Sequence, residues 1–441
     1  MSALIPILKL PDDRQRVDAL LAKLRLDPAA VALEESPAAA SVRDILADVR
    51  RRGDEALVDS ARQFDDPNFS VDQIRVSQQE MKDAVARVPT DQLSAVRRSI
   101  NQVREYQQHV MPHDPATLLR GSLQLGMRFT PLDSAGLYFP GGKASYPSSL
   151  IMLAVPAQVA GVERIVVCTP PSRYGRSDLV LATAHELGLQ NVFRAGGAAA
   201  IGALAFGTAT IPRVDKIVGP GNSFVQLAKR TLAGCVGIDG YLGPSEILVL
   251  ADESADAQSI AADLIAQAEH DPGSCFLLTT SDRVARDVSD ALSAQTSALN
   301  RIPAIERALQ NESAIVLGDS MDDLISLAND FAAEHVNLQT RNNARVLRSL
   351  KHAGAIFVGP HSPVAAGDYV AGPSHCLPTN TTARFASGIS VYEFLKRSSV
   401  VTYDVASLEA DASAIISLAH AEGLDGHAAS VKVRRASKSN G

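Results

Sequence analysis

The residues best able to do chemistry lie in the second half of the chain. Gln267 and His270 stand three apart in the stretch SADAQSIAADLIAQAEHDPGSC, Ser254 to Cys275. Ile260, Leu264 and Ala268, with Ile265 alongside, recur at helical spacing, so both polar residues leave one face of the last turn of an amphipathic helix. Asp252 or Ser254 is placed to cap its start, and Pro272-Gly273 to stop it. An imidazole beside a side-chain carbonyl can hold a divalent metal, although a histidine at a helix C-terminus is also favoured by the helix dipole alone. Glu334-His335 pairs a carboxylate with an imidazole, two proton-transfer groups suited to general acid/base work near neutral pH. Consecutive residues do not share a helix face, so the two serve one site only at a helix end or in a turn, and a solvated polar pair is the alternative.

Seven of the ten histidines follow residue 265, at positions 270, 335, 352, 361, 375, 420 and 427, and several stand beside acids in Gly/Pro-punctuated loops. Asp368 lies in Gly367-Asp-Tyr369 and His375 in Gly372-Pro-Ser-His375, while Glu422-Gly-Leu-Asp-Gly-His427 pairs acid and imidazole near the C-terminus. Gln267, His270, Asp368 and His427 together would make an N/O ligand set of the kind zinc accepts. His352, His361 and His420 read as surface or supporting residues. Gly219-Pro-Gly-Asn222 sits between an apolar strand and a helix, where a phosphate or dinucleotide could rest against a helix N-terminus. Phe224 takes the place of the third glycine of the dinucleotide fingerprint, so a tight structural turn is an equal reading.

The elements that must position these residues alternate. Strands are expected at 164–169, 192–194, 216–218, 247–250, 276–280, 314–317 and 355–358, with helices at 150–159, 177–187, 198–206, 224–232 and 322–333. Such alternation predicts an α/β protein with doubly wound parallel sheets and right-handed crossovers. The ends are helical: a short helix within 12–35, longer ones at 41–64 and 77–109 (the latter opened by a Ser77–Glu80 capping box), and a helical pattern from 391 through 408–422.

Composition narrows the function class. With 441 residues the chain is long enough for two or three domains. A net charge of −7 argues against a nucleic-acid surface. No signal peptide is visible, and the apolar run 151–159, broken by Pro156, is too short to cross a bilayer. The four cysteines, scattered without C-x-x-C pairing, fit reduced thiols in the cytoplasm and rule out a cysteine-based zinc knuckle.

Several strings in chain order resemble histidinol dehydrogenase: Gly136-Leu-Tyr-Phe-Pro-Gly-Gly-Lys143, Val218-Gly-Pro-Gly-Asn222, Gly243-Pro-Ser-Glu246, Gln267-Ala-Glu-His-Asp271, Ala333-Glu-His335, Gly367-Asp-Tyr369, His375-Cys-Leu-Pro-Thr379, Ala383-Arg-Phe385 and Glu422-Gly-Leu-Asp-Gly-His427. The resemblance implies two incomplete Rossmann-like sheet domains with helical N- and C-terminal extensions. It divides the chain into an N-terminal extension (1–35), a catalytic and metal-binding domain (36–137 plus 245–390), an NAD-binding domain (138–244) and a C-terminal segment (391–441) serving the partner subunit's site. It further implies oxidation of L-histidinol to L-histidine through L-histidinal with two NAD reduced, in a homodimer whose active site is shared. Gln267, His270, Asp368 and His427 take the places of the zinc ligands, with His427 from the other subunit. Glu334 and His335 take those of the acid/base pair. Zinc and its ligands, with Ser245, His335, His375 and Glu422, would hold the substrate, while Tyr138 and Asn222 match NAD-contacting positions. Ala199 stands where the family usually carries Gln, which puts one NAD contact in question. A related dehydrogenase of another small polar alcohol, a zinc hydrolase that needs no NAD, and a metal-stabilised scaffold are the competing readings.

Overall fold

The computed structural model describes residues 4–26, 36–141, 145–240, 243–270, 273–299 and 301–436. The chain divides into two compact units, Met1–Val110 with Leu132–Phe394, and Met111–Pro131 with Leu395–Gly441.

The first unit contains two wholly parallel sheets. A five-stranded sheet runs Asn191–Arg194, Arg164–Thr169, Ser134–Tyr138, Lys216–Val218, Gly237–Ile238. A six-stranded sheet runs Ile7–Lys9, Ala314–Leu317, Gly273–Thr279, Ser245–Ala251, His335–Gln339, Ala355–Val358. Parallel strands need crossovers that cover both faces, which is why the central ones read as unbroken apolar runs such as Ile247-Leu-Val-Leu-Ala251. Ile247 and Val249 pack on one side of the six-stranded sheet with Leu264 and Leu277, and Leu248 and Leu250 on the other with Phe276 and Phe331. Each such side chain contributes about 1.5–3 kcal/mol of burial free energy.

Several expectations are corrected by backbone chemistry. The helix expected over 41–64 is two, Pro37–Arg52 and Asp54–Phe64, broken at Gly53 with φ +58°. The one expected over 77–109 is likewise two, Gln78–Arg87 and Thr90–His109, parted at Pro89, which has no N–H to continue the ladder. Ser77 does cap the first of them, accepting the Glu80 N–H at 3.0 Å. The N-terminal extension is not wholly helical, because Ile7–Lys9 pairs with Ala314–Leu317 ahead of the helix Arg14–Leu24. A three-residue strand is too short to show alternation.

The second unit is a three-stranded antiparallel sheet, Leu395–Thr402, Leu123–Pro131, Leu118–Arg120, with the helices Val405–Ala421 and Asp425–Ala436. The segment from 391 was expected to be helical. Leu395–Thr402 is instead a strand, five of its eight residues polar, and set by its pairing with Leu123–Pro131 rather than by its own pattern. Among the described residues no helix is long and apolar enough to cross a membrane.

Candidate active site

Two buried residues meet where neighbouring strands of the six-stranded sheet begin. Ser245 and Glu246 open Ser245–Ala251, and His335 opens the adjacent His335–Gln339, preceded by Glu334. Glu334 and His335 are both buried, so the pair is no solvated dipeptide. His335 sits on a strand rather than at the helix end or turn that consecutive placement suggested, and the junction itself brings both groups to one place. Glu334 Oε2 accepts from the Ser245 hydroxyl at 2.5 Å and from the Glu246 N–H at 2.9 Å. The His335 ring points Nδ1 at the Glu246 carbonyl, 3.0 Å away, and that atom lies 3.5 Å from Glu334 Oε2. A carbonyl only accepts, so Nδ1 holds the proton and Nε2 is left to take another. Burial alone would lower the ring's pKa. The carboxylates of Glu334 and Asp368 and the Glu246 carbonyl outweigh it and raise it to about 9.

A cavity of about 620 Å³ opens over these groups, lined among others by Asn222, Ser245, His270, Glu334, His335, Asp368 and His375. Seven of the expected site residues, drawn from segments scattered over more than 150 positions of sequence, thus share one space. A second cavity, of about 380 Å³, also has His335, Asp368 and His375 in its wall.

Gln267 lies on the helix Ala257–Ala268 and is buried, and His270 follows the end of that helix and is exposed. The helix is capped by Asp256, which accepts the Ser259 N–H at 3.0 Å, in place of the Asp252 or Ser254 read from sequence. The expected stop at Pro272 lies outside the described residues. One turn before Gln267, Asp263 accepts from Asn337 Nδ2 at 3.2 Å, which ties this helix to the strand of His335. Asp368 lies on the short helix Val364–Tyr369, drawn close to the sheet because residue 367 is glycine, where a Cβ would lie 2.6 Å from the Phe357 ring. His375 closes that loop, its Nδ1 donating to the Asp368 carbonyl at 2.8 Å and its Nε2 lying 3.1 Å from the Ser149 hydroxyl. Burial holds His375 below the ordinary histidine range.

The donor types suit a borderline divalent metal, and one observation tests the fit: the side-chain nitrogen of buried Gln267 has no hydrogen-bond partner. A buried amide end without a partner is rare unless a group outside the protein meets it, and since amide N and O are assigned from such networks, the oxygen can equally face that group. Among the described residues, no three His, Cys, Asp or Glu side chains gather closely enough to hold a metal by themselves. The remaining expected ligand, His427, and the expected substrate contact Glu422 lie on the second unit, both exposed.

The five-stranded sheet contributes its other end. Asn222 caps the helix Ser223–Leu232, accepting the Val225 N–H at 3.1 Å, and stands exposed at the cavity. Tyr138 is buried. Its hydroxyl accepts the Gly197 N–H at 3.1 Å at the start of the helix Gly197–Phe206, and burial pushes its pKa up. Ala199 is buried in the apolar core and offers the cavity no polar group.

Sequence reasoning passed over Glu246 except as part of a resembling string. Its backbone N–H donates to Glu334 and its backbone carbonyl accepts from His335, and its own carboxyl is buried, accepting the Asn380 N–H at 2.7 Å. Burial, with Glu334 nearby, raises that carboxyl's pKa to about 8. An acid opening an otherwise apolar strand was the available signal.

Comparison with known proteins matches residues 30–435 to the family model of histidinol dehydrogenase. A histidinol dehydrogenase from Synechococcus sp. is 45% identical over 400 residues, covering 90% of this chain and 92% of its own length. One from Gluconobacter oxydans is 44% identical over 402 residues, covering 91% and 94%. The crystal structure of histidinol dehydrogenase from Elizabethkingia anophelis superposes with a TM-score of 0.93 at 31% identity, over 100% of both chains. By its sequence and by its fold, this chain belongs to the histidinol dehydrogenase family of NAD-dependent oxidoreductases.

Proposed function

We propose that the protein oxidises L-histidinol to L-histidine through L-histidinal, reducing two NAD, with zinc held by Gln267, His270, Asp368 and His427. The observation that carries this reading is the Glu334–His335 pair facing one cavity together with His270, Asp368 and Asn222. Zinc, when bound, supplies a Lewis acid that fixes the imidazole and amine of the substrate, and NAD supplies the hydride acceptor.

The chain's own groups account for the proton movements. In the first oxidation the neutral form of His335, which its raised pKa makes more abundant as pH rises toward 9, takes the alcohol proton at Nε2 while Nδ1 stays on the Glu246 carbonyl, which fixes the ring's tautomer and plane. The aldehyde must then be hydrated. Glu334 has Oε2 engaged by Ser245 and the Glu246 N–H, so Oε1 is the oxygen that draws the proton from the attacking water. As water adds, His335 returns its proton to the aldehyde oxygen, so Nε2 is free again to receive the hydrate's proton in the second oxidation. The Ser245 hydroxyl orients Glu334, and His375 and Glu422 are proposed to hold the substrate's polar ends.

The active form is proposed to be a cytoplasmic homodimer, with His427 and Glu422 completing the partner's site. The helix Val405–Ala421 supports this, because Val405 and Leu418 on it are exposed, as are Val400, Val401 and Leu119 on the sheet of the same unit. Large apolar side chains left exposed in one unit are a feature of interaction surfaces. The division of the chain at 1–35, 36–137 with 245–390, 138–244 and 391–441 is proposed as the functional one, with the five-stranded sheet, which opens at Ser134, carrying NAD.

The deciding experiment counts NADH per L-histidinol with purified protein, before and after chelation. Two NADH per substrate, lost on chelation and restored by zinc, is the expected result. No NAD reduction with histidinol would overturn the assignment.

A further inference from the structure

One buried ion pair has no part in the proton transfers above. Lys229 lies on the helix Ser223–Leu232 and Asp239 follows the strand Gly237–Ile238. Their side chains form an ion pair and are 1% and 0% exposed. Burying two charges costs about as much in lost hydration as their attraction returns, so an apolar pair of the same volume would stabilise the fold as well or better. What an apolar pair lacks is hydrogen-bonding groups, and here both charges use theirs on one residue. The Gly219 N–H donates to Asp239 Oδ2 at 2.6 Å, and the Gly219 carbonyl accepts from Lys229 Nζ at 3.0 Å.

Gly219 is the pivot of the turn after Lys216–Val218. Its φ is +121°, and a Cβ there would fall 1.8 Å from the Tyr138 carbonyl oxygen. The turn is therefore pressed against the neighbouring strand and gripped at both its N–H and its C=O. Directly beyond it Pro220, Gly221, Asn222 and Ser223 form part of the cavity wall. Strand end, following helix and next strand all converge on this one residue.

We infer that the Lys229–Asp239 pair is a positioning device for the dinucleotide: it fixes the Gly219–Asn222 turn so that Asn222 and the adjoining helix N-terminus meet NAD in a preformed geometry. This rests on the reading that NAD lies along that turn. Neither residue touches a reacting atom, and the consequence of losing them is a looser cofactor site rather than lost chemistry.

The test uses the full-length protein and two double variants that leave no buried charge unpaired. K229M/D239N removes the donor to the Gly219 carbonyl and keeps an acceptor for its N–H. K229M/D239L removes both. Calorimetric NAD titration is expected to show affinity falling severalfold in the first and about tenfold or more in the second, the loss that follows when one to two hydrogen bonds' worth of organisation is removed. Zinc affinity, read by chelator competition, stays near wild type, which a general loosening of the fold would not allow, and the thermal midpoint falls only by roughly the few degrees that the orphaned Gly219 backbone groups cost. Folded double variants that bind NAD like wild type overturn the inference. So does failure of both to fold, since the pair would then serve folding alone. N222S, which keeps the helix cap and removes the amide, tests the underlying reading separately: unchanged NAD affinity in that variant means that NAD does not contact this turn through Asn222.

Discussion

The backbone carbonyl of Glu246 receives the Nδ1 proton of His335 at 3.0 Å, although the two residues are 89 positions apart in the chain. They meet because Ser245–Ala251 and His335–Gln339 are parallel neighbours, with Ile247 beside His335. The N–H of the same Glu246 residue binds Glu334, so a single point of the backbone sets the spacing between carboxylate and imidazole.

Removing the base should therefore be costly without disturbing the cofactor. His335→Ala is expected to lower kcat about 10²- to 10⁴-fold, the range for a lost general base, with NAD affinity unchanged. Steady-state kinetics beside NAD titration checks this, and a kcat within a factor of two of wild type would remove His335 from the chemistry.

Glu246→Gln should change how stability depends on pH. The buried carboxyl has its pKa raised from an ordinary 4.5 to about 8. Between those values the unfolded chain has lost the proton and the folded one has kept it, so folding becomes less favourable as pH rises across that window and stays so above it. A glutamine has no proton to lose. The variant is expected to match wild type near pH 4.5 and to be more stable at pH 8.5 by on the order of a few kcal/mol. Denaturant titrations at the two pH values measure the difference, and an equal difference at both would contradict the raised pKa.

Gly219→Ala is expected to be among the most damaging single changes outside the acid/base pair. The added methyl has to move the Tyr138 carbonyl, and the backbone at φ +121° disfavours any L side chain. A loss of about 3 kcal/mol or more in unfolding free energy should follow, since strain and overpacking add. Chemical denaturation gives the value, and a loss below about 1 kcal/mol would mean that the turn is free to shift.

Gln267→Leu keeps the volume of the side chain and removes its donor atoms. Zinc affinity is expected to fall about 10- to 100-fold, as when a metal site's surroundings are damaged, while the thermal midpoint of the chelated protein holds or rises because the partnerless buried amide is gone. Chelator competition measures the affinity, and an unchanged value would exclude Gln267 as a ligand.

The readability of this chain followed how local each feature's cause is. Arg164–Thr169, Lys216–Val218, Ala314–Leu317 and Ala355–Val358 are apolar runs between turn residues, and they lie where their own sequences placed them. Leu395–Thr402 and Ile7–Lys9 are strands only because distant segments pair with them, which no local pattern records. In the site, Glu334, His335, His270 and Asp368 were visible as chemical types. Glu246 and the Lys229–Asp239 pair were not, because their work is done through backbone groups and buried contacts rather than through a recognisable spacing.

The edge strand Ile7–Lys9 also sets a schedule for synthesis. Its neighbour Ala314–Leu317 is made some 300 residues later, a wait of roughly 15–60 s at 5–20 residues per second, during which the first strand has no sheet to join. The pairing of Leu123–Pro131 with Leu395–Thr402 imposes a wait of similar length in the second unit. The five-stranded sheet, complete by Ile238, is free of that delay and can assemble while the rest of the chain is still being made. A ribosome that stopped before residue 395 would release a chain with the five-stranded sheet in place and Leu123–Pro131 still lacking the strand that pairs with it from Gln124 to Pro131.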